Sequence, residues 1–343
     1  MTTLRAGISG CGATGLAAVL QSRRHEHCHV VAAHDPDPAA LRTFGERTGI
    51  GHLSTDFAAL LGSGIDFVIL AGPCGVRLEQ VQRAAEQGVH CLLHAPMAPD
   101  PATAAAMLAA CEAMQVKLGV AVAGQDDPLL EQVRRMIAGD WLGGPVCVQG
   151  LWAENPMLTN MPAAGDWRLQ PALAGADPLL SLASHHVHLA TWLTGRAALQ
   201  VTAQSTRGFL PLPADSTVAT ALLRGYVLCT FAASHLARGR VFAIHGTDGA
   251  VRLAGDRLWL SGHTEFRGEV FDYLRAGEDL VLTRAELAPA LAAQAPECEL
   301  HGRFARWLDD CDDFPCPGEQ AVLDVQVLAA MARAAATGRT EPV

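Results

Sequence analysis

Gly10-Cys11-Gly12-Ala13-Thr14-Gly15 decides the fold, because of what stands on either side of it. Leu4 to Ile8 read as a short buried strand that runs straight into this hexapeptide. Ala13 to Gln21 read as a helix, with Leu16, Val19 and Leu20 supplying the apolar stripe. Strand, G-x-G-x-x-G and helix in that order predict a dinucleotide-binding turn. Gly10 makes the tight turn, Gly12 lets the backbone approach a pyrophosphate, and Gly15 lets helix and strand pack closely. The first helical N–H groups, those of Ala13 and Thr14 among them, offer the phosphates the positive end of the helix dipole. A second strand, Val30 to Ala33, ends at Asp35, where a carboxylate accepts hydrogen bonds from the adenosine ribose. That carboxylate repels a 2′-phosphate, and Pro36-Asp37-Pro38 brings no arginine to compensate. The expected cofactor is therefore NAD(H) in preference to NADP(H).

Outward from this turn, strand and helix alternate. Pro38 to Thr48 form a helix, Asp56 caps Phe57 to Leu61, and Asp66 to Leu70 is a buried strand ending at Ala71-Gly72-Pro73. Val76 to Gln87 is helical, Val89 to Leu93 is a strand, and Asp100-Pro101 opens the next helix with an N-cap and an N1 proline. Val116 to Val122 closes the series, which predicts a doubly wound parallel sheet over 1–122. From residue 123 to 343 the pattern changes to strands without intervening helices: Val146–Trp152, Leu199–Thr206, Thr217–Leu223, Tyr226–Phe231, Val241–His245 and Ala250–Leu253. Arg224-Gly225 marks a hairpin. One long helix, Pro178 to Leu193, opens at Asp177-Pro178 and ends at Gly195, and a last one covers Glu319 to Ala336. This second part reads as an α+β domain on a mostly antiparallel open sheet, whose face suits a substrate floor or a homo-oligomer interface.

Composition narrows the function. The chain has 343 residues, half of them hydrophobic, and a net charge of −10. Such a charge argues against nucleic acid, which needs a basic surface, and no apolar run is long enough to span a bilayer. The first strand starts three residues in, which leaves no room for a targeting segment and points to the cytoplasm. Ten cysteines without regular spacing, Cys91, Cys111 and Cys229 among them, read as small buried hydrophobes in a reducing compartment. Lys117 is the only lysine, so any mechanism that needs a tunable ammonium must use it or do without.

The order of segments resembles the Gfo/Idh/MocA oxidoreductase family, named for glucose–fructose oxidoreductase and inositol dehydrogenase. The resemblance covers nearly the whole chain. It rests on Gly10–Gly15, Asp35, the strand-end Pro73, the run Glu86-Gln87-Gly88-Val89-His90 before a strand and Pro96, Asp166-Trp167-Arg168, the Gly175 segment, His185 in the long helix, and His245-Gly246-Thr247-Asp248-Gly249. It implies that Pro73, His94 and Pro96 border the cofactor, and that Trp167 and Arg168 border the substrate cleft. The departures fall on the chemistry. Where the family carries Glu-Lys-Pro, with its lysine beside the nicotinamide and the reacting hydroxyl, this chain has His94-Ala95-Pro96. Aspartates flanking the helix histidine are replaced by Ser181 and His188, and Thr-Pro-Asn with a following histidine becomes Gly72-Pro73-Cys74 with Arg77. Of the usual catalytic side chains only His185 remains.

Ser181, His185, His188 and Trp192 recur at i, i+4, i+7 and i+11, which places them on one helix face. Leu182, Leu189 and Leu193 form a neighbouring apolar stripe. Histidine suits acid–base work near neutrality, so His185 is the candidate proton donor and acceptor. Ser181, His188, Gln125, Trp167 and Arg168 are candidates for holding substrate. His94, His185 and His188 lack the cysteine pair or carboxylate of a recognisable zinc pattern, and no metal is expected. His25-x-His27-Cys28-His29 reads as a solvated connection, and the acidic run Asp309, Asp310, Asp312, Asp313 as a solvated face. Two functions follow. One is an NAD(H)-dependent oxidoreductase acting on a small hydroxylated, carbonyl or imine substrate. The other is a dinucleotide-binding sensor on the same scaffold that has lost catalysis with the lysine.

Overall fold

The computed structural model describes residues 3–24, 26–155, 161–162, 166–174, 178–262, 279–286 and 299–343. Two compact units emerge, the first comprising Met1–Asp126, Ala172–Gly175 and Pro296–Val325, the second Asp127–Pro171, Ala176–Ala295 and Gln326–Val343. The sequence reading divides the chain once, at 122/123; the units are instead discontinuous.

In the first unit, β1 (Leu4–Ser9), β2 (Cys28–His34), β3 (His52–Ser54), β4 (Phe67–Leu70), β5 (His90–His94) and β6 (Leu118–Ala121) form one sheet in the order β3-β2-β1-β4-β5-β6. All its pairings are parallel, so every strand's carboxyl end lies on one edge. The pleat sends alternate side chains to opposite faces. Val68, Leu70, Cys91 and Leu93 build one core with Val81 and Met107 from the helices α4 (Arg77–Glu86) and α5 (Pro101–Ala113). Phe67, Ile69 and Leu92 build the other with Ile8, Phe304 and Phe314.

Helix Leu300–Leu308 is absent from the sequence reading. It covers this second face, with Phe304 packed on Phe67 at 5.2 Å between ring centroids. Asp56 and Asp100 cap their helices as expected, accepting from Ala58 N–H and Thr103 N–H. The acidic run is exposed, as read, yet it is also tied down: Asp310 pairs with Lys117 and Asp312 with Arg306.

The second unit is built on a nine-stranded sheet in the order β14-β13-β12-β11-β7-β10-β9-β8-β15. Its strands are β7 (Pro145–Ala153), β8 (Ala198–Thr206), β9 (Ser216–Leu223), β10 (Val227–Ser234), β11 (Gly239–Gly246), β12 (Gly249–Ala254), β13 (Arg257–Gly262), β14 (Asp279–Thr283) and β15 (Glu341–Pro342). Among the described residues only its β7–β10 pairing is parallel. The hairpin at Arg224-Gly225 joins β9 to β10, with Gly225 and Tyr226 both at positive φ.

Two corrections belong here. Helix Pro128–Ala138 precedes the first strand, so this part does not begin with strands alone. The long helix is Ser184–Thr194, entered through a π turn over Leu179–Ala183. That turn closes i→i+5 hydrogen bonds where an α-helix closes i→i+4. Leu182, Leu189 and Leu193 are buried as expected. Asp177, the expected cap, lies outside the described residues, as do Gly175 and His25.

Candidate active site

The first group of site residues gathers at the carboxyl edge of the parallel sheet. Gly10 sits at φ +104°, and a Cβ there would come within 2.5 Å of Gly72 N at the end of β4. A Cβ on Gly15 would meet the Gly10 carbonyl oxygen at 2.0 Å. Both glycines are therefore demanded by packing. Gly12 differs: a Cβ there meets nothing within 4 Å. It is the N-cap of helix Ala13–Ser22, with no side-chain cap and no acidic residue in the first turn. The N–H groups of Ala13 and Thr14 thus lack intrahelical acceptors, next to a glycine whose side-chain position is open. This is a cradle for an anion, and the chain's pyrophosphate-binding signature fits it.

Asp35 follows β2 directly. Its Oδ2 accepts from Cys11 N–H at 2.8 Å and its Oδ1 from Asp37 N–H at 3.0 Å. These bonds fix the carboxylate against the glycine loop and use one lone pair on each oxygen, leaving acceptors for two hydroxyls. Asp37 is committed to capping the next helix, through Ala39 N–H.

His94, Ala95 and Pro96 follow β5 on the same edge. The turn is held by Arg77, a residue the sequence reading noted only as a departure. Its guanidinium donates to the carbonyls of Gly72, His94 and Pro96. Arg77 is buried, and burial lowers its pKa to about 10, with partial compensation from Cys74. Lys117 precedes β6 and therefore stands at the opposite edge, donating to Asp310 and the Trp307 carbonyl. No lysine serves this turn.

The second group lies in the second unit. His185 stacks on Trp152 with ring centroids 4.4 Å apart. Arg240 lies over Trp152 as well, 3.5 Å from its centroid, and both Arg240 and the indole N–H bond Glu154. Burial, reinforced by Arg240 and His188, pushes the pKa of His185 down to about 3. Its neighbour His186 is pushed to about 3 as well, by burial first and then by His185 and Arg240. At neutral pH, His185 is an uncharged imidazole, with one ring N–H and one ring nitrogen that carries a lone pair.

The remaining candidates have partners of their own. Ser181 Oγ is bonded to His235 Nε2 at 3.2 Å. His188 is buried and stacks towards Trp192. Trp167 and Arg168 are exposed, and Arg168 chelates Asp166 through two bonds that hold the Asp166 pKa down at about 2. Gln125, in the first unit, is fully buried, its Oε1 accepting from Val122 N–H. Trp152, Arg240 and His235 went unread because nothing in their spacing ties them to the helix; sheet register alone brings them there.

Residues 4–122 match the oxidoreductase family's NAD-binding Rossmann fold, and residues 130–252 match the GFO/IDH/MocA C-terminal domain. The chain belongs to the Gfo/Idh/MocA oxidoreductase family. At that level it is an NAD(P)-dependent oxidoreductase. It is 28% identical over 271 residues to a D-apiose dehydrogenase of Paraburkholderia graminis, covering 74% of this chain and 68% of that protein. It is 28% identical over 172 residues to an NADP-dependent D-xylose 1-dehydrogenase of Haloferax volcanii, half of each chain. The fold superposes on an NAD-binding oxidoreductase from Klebsiella pneumoniae with a TM-score of 0.84 at 21% identity, over 100% of this chain and 99% of that one.

Proposed function

We propose that this family member oxidises or reduces a small sugar-like substrate with NAD(H), exchanging hydride at a carbon that bears hydroxyl or carbonyl. The observation that carries the reading is the intact dinucleotide cradle: packed Gly10 and Gly15, open Gly12, and a fixed Asp35 carboxylate. Gly12, Ala13 and Thr14 would hold the pyrophosphate, Asp35 the adenosine ribose, and Pro73, His94 and Pro96 would border the nicotinamide. When bound, the dinucleotide supplies the hydride chemistry, and the protein supplies binding and orientation. The named relatives that act on D-apiose and D-xylose support a polyhydroxylated substrate.

His185 is our candidate to take the proton, since Ala95 has none to exchange and His185 is neutral. Ser181, His188, Trp167 and Arg168 are our candidates for the substrate's surroundings. Gln125 braces its own turn. Assembly into a homo-oligomer through the second sheet fits its outer face, where Val218 and Leu228 are each more than half exposed. Titration of the chain with NADH and NADPH, followed by turnover on a panel of aldoses and polyols, tests the proposal. Tighter NADH binding with turnover on a sugar supports it. Equal binding of both cofactors overturns the NAD(H) preference, and binding without turnover on any member supports the sensor reading.

A further inference from the structure

Three strands of the second sheet bring polar side chains to one end of it. β7 and β10 run parallel and finish there at Ala153 and Ser234, and the antiparallel β11 starts there at Gly239. Glu154, His235 and Arg240 therefore gather at this end. Arg240 and Trp152 are register partners in β11 and β7, so their side chains stand on the same face. The guanidinium lies on the indole, 3.5 Å from its centroid, and the His185 ring stacks on the same indole at 4.4 Å. Both groups keep part of their surface open to solvent, whereas His186 beside them is buried. One aromatic platform thus presents a fixed cation and the candidate base together. Among the described residues the one hydrogen bond of Arg240 runs from Nη2 to Glu154 Oε1 at 3.2 Å, and that oxygen already accepts from the indole N–H at 2.8 Å. Arg238, also exposed, donates to Asn155. Asp215 is committed to the N–H groups of Gly208, Phe209 and Leu210, and burial lowers the pKa of His235 and keeps it neutral. Arg238 and Arg240 thus stand against the single carboxylate of Glu154, in a chain whose net charge is −10.

Given the reading of the chain as a nicotinamide oxidoreductase, on which this rests, we infer that Arg240 is a specificity-determining residue that binds the carboxylate of a sugar acid. A carboxylate matches the planar fork and takes two parallel N–H bonds, which a neutral hydroxyl cannot. The indole holds the guanidinium flat beforehand, which lowers the cost of ordering it on binding. The exposed, single bond to Glu154 is weak and gives way at little cost. Bound there, the carboxylate also offsets the Arg240 charge, which after burial does most to keep protons off His185. The acid group of the substrate thereby raises the proton affinity of the base that faces its hydroxyl.

The test is calorimetric titration of the full chain, saturated with NADH, with D-glucuronate, D-galacturonate and D-gluconate beside D-glucose and D-galactose. The expected result is at least one acid bound about tenfold more tightly than its neutral counterpart, the scale of a charge-assisted pair. Arg240→Gln should erase that preference, and Arg240→Lys, which keeps the charge without the fork, should restore part of it. Glu154→Gln should act in the opposite sense and tighten the acid about twofold to fivefold, because the competing carboxylate is gone. Opposite shifts from two neighbours separate recognition from damage to the fold, and melting curves check that each variant folds. Should Arg240→Gln fail to fold, the wild type and Glu154→Gln still decide. Acids bound no better than neutral sugars, or an acid preference that survives Arg240→Gln, overturn the assignment. So does a glucose phosphate bound more tightly than every acid, which would mark a phosphate site. Turnover on the same panel is read apart from binding. Acid binding through Arg240 with no turnover of any member defeats the oxidoreductase reading and leaves the acid site standing. Turnover of neutral sugars with no acid preference does the reverse.

Discussion

At the scale of single residues, the account turns on Asp35, Ala95 and His185. Asp35→Ala should weaken NADH binding and narrow the gap to NADPH, because it removes both the ribose acceptors and the charge opposing a 2′-phosphate. Calorimetric titration with both cofactors checks it; an unchanged gap would show that another group selects. Ala95→Lys should not restore a standard sugar dehydrogenase, since Arg77 already places a buried positive charge on the same turn. Robust new activity on inositol or glucose would contradict this. His185→Ala should cut turnover by about two to four orders of magnitude, the usual scale for a general acid or base, and leave NADH binding intact. With its pKa down near 3, His185 stays unprotonated through neutrality, so its loss of activity on acidification falls far below the usual histidine range. A kcat/KM profile that bends near the ordinary histidine value would assign that proton to another group.

At the scale of elements, the glycine turn allows a paired prediction. Gly15→Ala drives a methyl into the Gly10 carbonyl and should cost about 1–3 kcal/mol or more of stability, along with cofactor binding. Gly12→Ala finds open space and an ordinary φ of −79°, so thermal stability should hold while NADH affinity falls. Melting curves and cofactor titrations on both variants separate the two roles; a destabilised Gly12→Ala would refute the open cradle. These elements were legible because their signals are local: the glycine spacing, the Asp-Pro starts, and the continuous apolar runs of a parallel sheet buried on both faces. Asp127-Pro128 carried the same start signal ahead of Leu129, Leu130, Val133 and Met136, and could have revealed the missed helix. The π turn before Ser184 had no local signal. Arg77 was illegible as a partner of His94 because chain return, not spacing, brings them together.

At the scale of the whole molecule, neutral histidines, His186 buried and His185 half-buried, tie stability to pH. His185 and His186 have folded pKa values lowered to about 3, so the unfolded chain binds more protons than the folded one as pH falls below the ordinary histidine value. Stability should therefore be fully present above that value and be lost progressively on acidification towards pH 3. Tm measured against pH checks it, and a flat profile across that window would contradict the lowered values of the two rings. The central claim concerns what this scaffold does with its cofactor. Its most direct test is the nicotinamide absorbance of the purified chain mixed with NAD⁺ and a panel of aldoses, pentoses included. The account predicts NADH formation with at least one sugar, abolished by His185→Ala. Tight NAD⁺ binding with no absorbance change on any sugar, polyol or, with NADH, ketone would contradict it and leave the chain a dinucleotide-binding sensor.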